Sequence, residues 1–413
     1  MNKPKIAIIG TGISGILSGY LLQQKYHVTL FEKNDRLGGH ANTVMANDIP
    51  IDTGFIVYNT LNYPHFCQFI EQLGVQSIES DMSFGYFNPT QHFWYASDFP
   101  WGVFSQKKHL LSPKFIRFLR EIQQFNQRVL ADLDTHVMDD MQLSEYVLKC
   151  GFSSFFCEAY LYPMAAAIWS CPIETIHQYP AKTFFSFWKN HRLLTIRNRP
   201  KWRTIRGGST AYITAFKSQF SGDILTDTPI QTIIRTHNSV SLVDDLNRHH
   251  VFDAVVIATH ADEALALLES PTPDETRLLS AWQYSQNQVT LHTDANVMPP
   301  KRNAWASWLV KASPHSSALT MTYYMNRLQQ LPTTTDYFTS LNLAEEINPS
   351  HVIKTIQYMH PIYTTESVAT QPQLHTLNGI HNTYFCGSYF GNGFHEDGAK
   401  SAVTLAKELG CQM

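Results

Sequence analysis

Two short apolar runs near the start of the chain, Lys5-Ile6-Ala7-Ile8-Ile9 and Val28-Thr29-Leu30-Phe31, flank a segment whose apolar residues recur at Ile13, Ile16, Leu17, Tyr20 and Leu21. Short unbroken apolar runs suit strands buried on both faces of a parallel sheet, and recurrence at three and four residues marks one helix face. The opening therefore predicts strand, helix, strand. Further on, residues 64–73 read as a helix. Phe84, Tyr86, Phe93 and Tyr95 alternate around Asn88-Pro89-Thr90 and predict a hairpin. Helical spacing of Phe115, Leu119, Ile122, Phe125 and Val129 predicts a helical region over 107–149. The aromatic stretch 153–172 is too short and broken to cross a bilayer and reads as a buried helix lining a second domain.

The later pattern mixes periods. Residues 212–220 read as a helix, 224–226 and 230–235 as strands, and 240–243 with 250–252 as a hairpin. Asp253-Ala254-Val255-Val256-Ile257-Ala258-Thr259 reads as a buried strand. Strands are also expected at 289–293, 319–324 and 384–389, followed by a final helix over 399–409 that begins at Gly398.

Composition narrows the class. The 413 residues carry a net charge of -3, so no global field favours nucleic acid. Six cysteines, at 67, 150, 157, 171, 386 and 411, form no C-x-x-C and no metal-type spacing. They are expected to be reduced thiols in a cytoplasmic protein. Lys3 and Lys5 before an apolar run mimic a signal peptide, but cleavage there would destroy the glycine motif that follows. Two basic groups stand out. Lys107, Lys108, Lys114, Arg117 and Arg120 form either a solvated face or one for a membrane surface. Lys189, Arg192, Arg197, Arg199, Lys201, Arg203 and Arg206 either pair with the acidic group Asp132, Asp134, Asp139, Asp140 and Glu145, or bind an anionic head group or a protein.

The candidate chemistry begins in the first turn. Gly10-Thr11-Gly12-Ile13-Ser14-Gly15 sits between strand and helix, and Glu32 ends the next strand. That spacing fits a dinucleotide: Gly10 turns the chain, Gly12 admits a pyrophosphate near the backbone, and Gly15 lets helix and strand pack closely. The helix start supplies N–H groups and partial positive charge, and Glu32 can accept from a ribose diol. Next comes Lys33-Asn34-Asp35-Arg36-Leu37-Gly38-Gly39-His40, in which the glycine pair would let the backbone fold over the ligand and Arg36 could meet phosphate. Near the end, Phe394-His395-Glu396-Asp397 precedes the last helix and puts titratable groups beside its start. His395 is the candidate proton-handling residue, with Glu396 or Asp397 to orient it. The alternative is that these residues only cap the helix and hydrogen-bond the bound dinucleotide.

The glycine pair with its preceding acid and arginine, and Ile51-Asp52-Thr53-Gly54-Phe55, resemble the flavin-containing amine oxidase superfamily. The resemblance extends to a bacterial group of NAD/FAD-binding oxidoreductases with an amine oxidase-like domain. It rests on Ile51–Asn59, the stretch 162–170, Arg203–Ser209, Leu291–Asp294, Tyr324–Gln329 and Phe394–Gly398. His40 stands where that family commonly has Arg, and no clear counterpart exists for the lysine that holds a water near the flavin in many amine oxidases. The resemblance implies an α/β fold, a Rossmann-like FAD-binding domain (1–83, 204–265 and 376–413) with a discontinuous α+β substrate domain (84–203 and 266–375). It implies non-covalent FAD, with Lys33, Gly38, Gly39, His40, Thr53, Gly54, Phe55, Ile230, Thr259, Gly387, Ser388, Asp397 and Gly398 among the cofactor-binding residues beside the first motif. Gly12, Gly39 and Gly398 are then expected to border one elongated cavity.

The function implied is an FAD-dependent oxidoreductase acting on an apolar, possibly fatty-acyl, small molecule. A redox-neutral flavin isomerase or mutase is one alternative, and a non-catalytic flavin-bound partner of a lipid-modifying methyltransferase another. Peripheral membrane or methyltransferase contact is the alternative reading of the basic groups, and no nucleic-acid partner is expected.

Overall fold

A computed structural model describes residues 3–169, 176–195, 200–312 and 320–413. Ser170, Cys171 and Pro172, Arg197 and Arg199, and Leu319 lie outside the described residues.

The first apolar run becomes the strand Lys5–Ile9, paired in parallel with His27–Phe31 on one side and Ala254–Ile257 on the other. Asp223–Leu225 and Thr383–Phe385 complete a five-stranded parallel sheet at its edges. Its strands come from three distant parts of the chain. Helix Ile13–Leu22 packs against the last helix, His395–Glu408, and both start at the same end of this sheet. In such sheets, ligands bind outside the carboxyl ends of the strands.

The second layer is a seven-stranded sheet. It runs from Val352–Ile362 through Gln283–His292, Phe338–Leu341, Thr320–Tyr324, Trp308–Lys311 and Phe84–Asn88 to Phe93–Ala96. The hairpin expected at 84–96 is present, with Tyr86 opposite Tyr95. The strand expected at 289–293 starts earlier, at Gln283, and pairs with the eleven-residue strand Val352–Ile362. That strand is exposed over Val352–Thr355, the apolar Val352 and Ile353 included, so its sequence shows no clean alternation. Aromatic helices cover one side of the sheet.

Three helical expectations need correction. The region 107–149 is three pieces: a 3-10 turn Lys107–Leu111, a helix Pro113–Leu133 and a helix Leu143–Cys150. Ser112 accepts from Phe115 N and Pro113 occupies the first turn, a start signal that splits the run. Gln142 and Glu145 form a reciprocal cap that restarts it. Cys157–Leu161 is a π-helical insertion between Ser154–Phe156 and Tyr162–Trp169. The final helix begins at His395 rather than at Gly398, because Phe394 is its cap and the Asp397 carboxylate accepts from Phe394 N at 2.9 Å.

Candidate active site

One cavity of about 1810 Å3 runs between the two layers. Ligand pockets commonly measure about 300–1,000 Å3, so this one has room for a dinucleotide and a second molecule. Its polar end is built from the first turn. Gly10 has φ +94°, which glycine adopts without strain, and it closes the turn by donating to Phe31 O at 2.9 Å. A Cβ on Gly12 would meet nothing within 4 Å, so this backbone faces open cavity and a phosphate can approach it. A Cβ on Gly15 would sit 1.9 Å from Gly10 O, which is the close packing its position requires. Gly39, at φ +57°, lies against Gly12: its Cβ would be 3.2 Å from Gly12 Cα. The two glycine turns thus form one backbone cradle. Arg36 donates to Gly39 O at 3.0 Å, which holds the second turn in place while its guanidinium borders the cavity.

Gly10, Gly12, Ile13, Ser14, Glu32, Lys33, Arg36, Gly38, Gly39 and His40 all line this cavity, as do Gly54, Phe55, Ile230, Thr259, Gly387, Ser388 and His395. Gly15, Thr53, Glu396, Asp397 and Gly398 do not. A Cβ on Gly398 would be 2.8 Å from Ile13 Cγ2 and Ser14 Oγ, so Gly398 is where the last helix touches the first. Its expected place on the cavity is corrected to a packing role. Thr53 is buried and bonds to Asn42 O and Tyr358 OH, at 3.0 and 2.9 Å.

Glu32 is nearly buried, and its carboxylate is occupied. One oxygen accepts from Thr11 N at 3.2 Å and from the Thr11 hydroxyl; the other accepts from Asn34 N at 3.0 Å and Asn34 Nδ2 at 2.7 Å. A carboxylate offers about four acceptor positions, so a ribose diol must displace one of these donors. Lys33 is turned to Glu263, at 2.7 Å.

The titratable residues before the last helix separate into different roles. Glu396 accepts from His65 N at 3.1 Å, Phe66 N at 3.0 Å and His65 Nδ1 at 2.7 Å, so it caps the helix Pro64–Gln72. It does not orient His395, and neither does Asp397, which caps its own helix. The partner of His395 is Tyr212, whose hydroxyl is 3.0 Å from Nε2. The His395 ring also stacks on Phe55, with centroids 3.7 Å apart. Burial pushes His395 down to about 3, so its ring is neutral and a weak base at ordinary pH. Burial pushes Asp397 up to about 6.

Sequence reasoning missed two groups. The first is a set of neutral imidazoles. His40 lies 5.4 Å from His360 and 6.4 Å from His260, ring to ring, and stacks on Tyr358 at 4.8 Å. Burial, then the neighbouring histidines, holds His40 well below the usual imidazole range; burial likewise takes His360 to about 4. His40 therefore contributes no cation to phosphate. Its buried Nε2 has no hydrogen-bond partner among the described residues and stands at the cavity wall. Only the fold brings these rings together, so no spacing in the chain signals them.

The second is His191, in the aromatic half of the cavity with Trp169, Phe187 and Phe394. Its Nδ1 is 3.0 Å from Phe187 O, and a carbonyl can only accept, so that nitrogen carries the proton. Nε2 is then a lone-pair acceptor. Leu119, Ile122, Met164, Ile168 and Trp308 give this half an apolar wall, with Tyr160, Tyr323, Gln123 and Arg192 also on its lining.

Three members of the basic stretch 189–206 are engaged within the chain. Lys189 pairs with Asp134 at 2.9 Å, Lys201 with Glu79 at 3.1 Å, and Arg203 donates to Ser77 Oγ at 2.8 Å. The five described cysteines are free. Among the described residues no helix is long and apolar enough to cross a membrane, and no His, Cys, Asp and Glu cluster fits a metal ion.

Residues 13–341 match the model of the flavin containing amine oxidoreductases. The chain belongs to this family, and it is a flavin-dependent oxidoreductase. Among curated proteins, prenylcysteine oxidase 1 of Homo sapiens is 35% identical over 80 residues, which is 18% of this chain and 15% of that protein. The fold is shared with the CLA-producing fatty acid isomerase from P. acnes, at TM-score 0.67 and 14% identity over 98% of both chains. It is also shared with cyclohexylamine oxidase from Brevibacterium oxydans IH-35A, at TM-score 0.67 and 14% identity over 99% of this chain and 100% of that one.

Proposed function

We propose that this chain binds FAD non-covalently and takes a hydride from a C–H bond of an apolar, fatty-acyl-like small molecule. The observation that carries this reading is the single cavity, with a glycine cradle at one end and an aromatic wall at the other. Gly12 suits a pyrophosphate because a Cβ there would stand in the open cavity, and Gly39 suits it because only a residue without a Cβ packs this closely on Gly12. Glu32 and Ile230 border the end where a ribose and adenine would lie, and Gly54, Phe55, Gly387 and Ser388 border the way to the aromatic half. The orphan His40 Nε2 offers a neutral polar contact along that path. Bound FAD would supply the hydride acceptor.

The protein's part is to exclude water, orient the substrate and accept a proton. Desaturating a C–C pair releases a hydride from one carbon and a proton from the next, whose C–H electrons become the new π bond. His191 Nε2 is the acceptor available for that proton among the aromatic residues. His395, neutral and bonded to Tyr212, positions the start of the last helix against Phe55. Non-covalent binding is supported by Cys386, which does not line the cavity and whose buried thiol is pushed up to about 12. An apolar substrate also accords with the partial match to prenylcysteine oxidase 1. The fold shared with a fatty acid isomerase favours a second reading, in which the hydride returns to another carbon of the same substrate.

Anaerobic titration of the flavin with fatty-acyl compounds and with primary amines tests the proposal. Bleaching by the acyl compounds supports it, and bleaching by amines alone overturns the apolar-substrate reading. Isomerised product formed without any electron acceptor selects the second reading.

A further inference from the structure

Phe99, Trp101, Leu110 and Leu111 are 78%, 77%, 53% and 88% exposed. Exposed large apolar residues usually scatter singly, whereas these four fall in two adjoining turns. The turns are fixed to one another. Phe104 packs between Phe99 and Phe115 at 6.1 and 6.2 Å, and the buried His109 stacks on Phe115 at 4.1 Å. Gly102 N donates to Asp98 O at 2.7 Å and Phe104 N to Pro100 O at 3.0 Å, so the first turn is tightly closed and its outer side chains are held outward.

Charge surrounds this apolar tip. Residues 99–120 contain Lys107, Lys108, Lys114, Arg117 and Arg120, and no Asp or Glu, in a chain whose net charge is -3. Asp98, just before, is paired with Arg327 at 2.9 Å. Arg117 is paired with Glu121 at 3.2 Å, which leaves Lys107, Lys108, Lys114 and Arg120 as the cations that make the local field opposite in sign to the whole chain. An aromatic and aliphatic tip ringed by lysine and arginine matches an acyl layer beneath anionic head groups. The same segment borders the cavity. Asp98, Phe99 and Val103 line it, and helix Pro113–Leu133 turns Leu119 and Ile122 toward it while Arg117 and Arg120 face outward.

We propose that this tip docks the chain on an anionic phospholipid bilayer, so that the cavity opens where apolar molecules are dissolved. The purpose of docking rests on the apolar-substrate reading above, but the binding itself does not.

Flotation of the full-length protein with phosphatidylcholine vesicles, and with vesicles that also contain phosphatidylglycerol, tests it. Binding is expected only to the anionic vesicles. The pair Lys107→Glu and Lys108→Glu weakens it by at least about tenfold. The pair Trp101→Ser and Leu111→Ser removes the part that survives high salt. Flavin content and thermal unfolding of both variants, compared with the parent, exclude misfolding as the cause. Equal binding to neutral vesicles, no binding to either kind, or binding indifferent to both pairs overturns the proposal. So does a stable self-association abolished by Trp101→Ser, which would make the tip a protein interface. Anaerobic flavin reduction by a detergent-solubilised acyl compound is read in parallel. If it persists while vesicle binding fails, the docking inference falls and the chemical reading stands.

Discussion

Phe55 and His395 stack face to face, with ring centroids 3.7 Å apart and planes 8° from parallel. One residue follows the short strand Ile49–Asp52, and the other starts the last helix, so the stack joins the two ends of the chain at the middle of the cavity. Tyr212, from a third segment, fixes the imidazole through Nε2. Tyr212→Phe leaves that buried nitrogen without its partner and is expected to cost about 1–3 kcal/mol, read by chemical denaturation. Flavin reduction by substrate is expected to persist, because His395 positions rather than transfers a proton.

The glycines of the cradle separate binding from folding. Gly12→Val fills open cavity, so the variant is expected to fold with a thermal midpoint near that of the parent and to lose flavin on purification. Gly15→Ala meets the Gly10 carbonyl and is expected to lose about 3 kcal/mol of stability whether or not flavin is present. Absorbance at the flavin band and thermal unfolding of the two variants check the contrast.

Glu396 distinguishes capping from catalysis. Glu396→Ala removes the acceptor for His65 N and Phe66 N and is expected to destabilise by about 1–2 kcal/mol. The rate of flavin reduction in the folded variant is expected to be unchanged. A large loss of that rate with intact stability would restore Glu396 to the chemistry.

Filling the aromatic half is expected to act on substrate alone. Ile122→Trp, on the cavity wall, should raise the acyl concentration needed for half-maximal flavin reduction on the order of tenfold, with flavin content unchanged.

The buried imidazoles set a pH dependence. Burial holds His292 and His360 at about 4 and His395 at about 3, below the ordinary value of about 6.5. Below that ordinary value the unfolded chain takes up protons that the folded chain refuses. Stability is therefore complete above about pH 6.5 and falls as pH drops toward 4. Asp52 and Asp397, raised to about 6, act with the opposite sign between about pH 4 and 6 and offset part of the loss. Unfolding by urea at a series of pH values is expected to show a net fall on acidification. His360→Asn should flatten that slope.

Much of this was legible in the residues because it is local. The strand–turn–helix around Gly12 and the hairpin at 84–96 follow from periods and turn residues within a few positions of each other. The capping of the last helix was less legible, since the apolar pattern starts at Ala399 while Phe394 and Asp397 decide where the helix begins. Glu396 looked like an active-site carboxylate beside His395 in sequence, yet its partners lie on a helix 330 and 331 residues away. The imidazoles of His40, His260 and His360 likewise meet only through tertiary packing. Exposure, which picks out Phe99 and Trp101 from the other aromatic residues, has no local signature.

The central claim is that the cavity holds FAD. The direct measurement is to denature the purified protein and identify and quantify the released flavin by chromatography, for the parent and for Gly12→Val. Equimolar FAD freely released from the parent, and little from the folded variant, is the predicted result. A parent that stays colourless after incubation with FAD, or that releases only FMN, or whose flavin remains attached to the denatured chain, would contradict it.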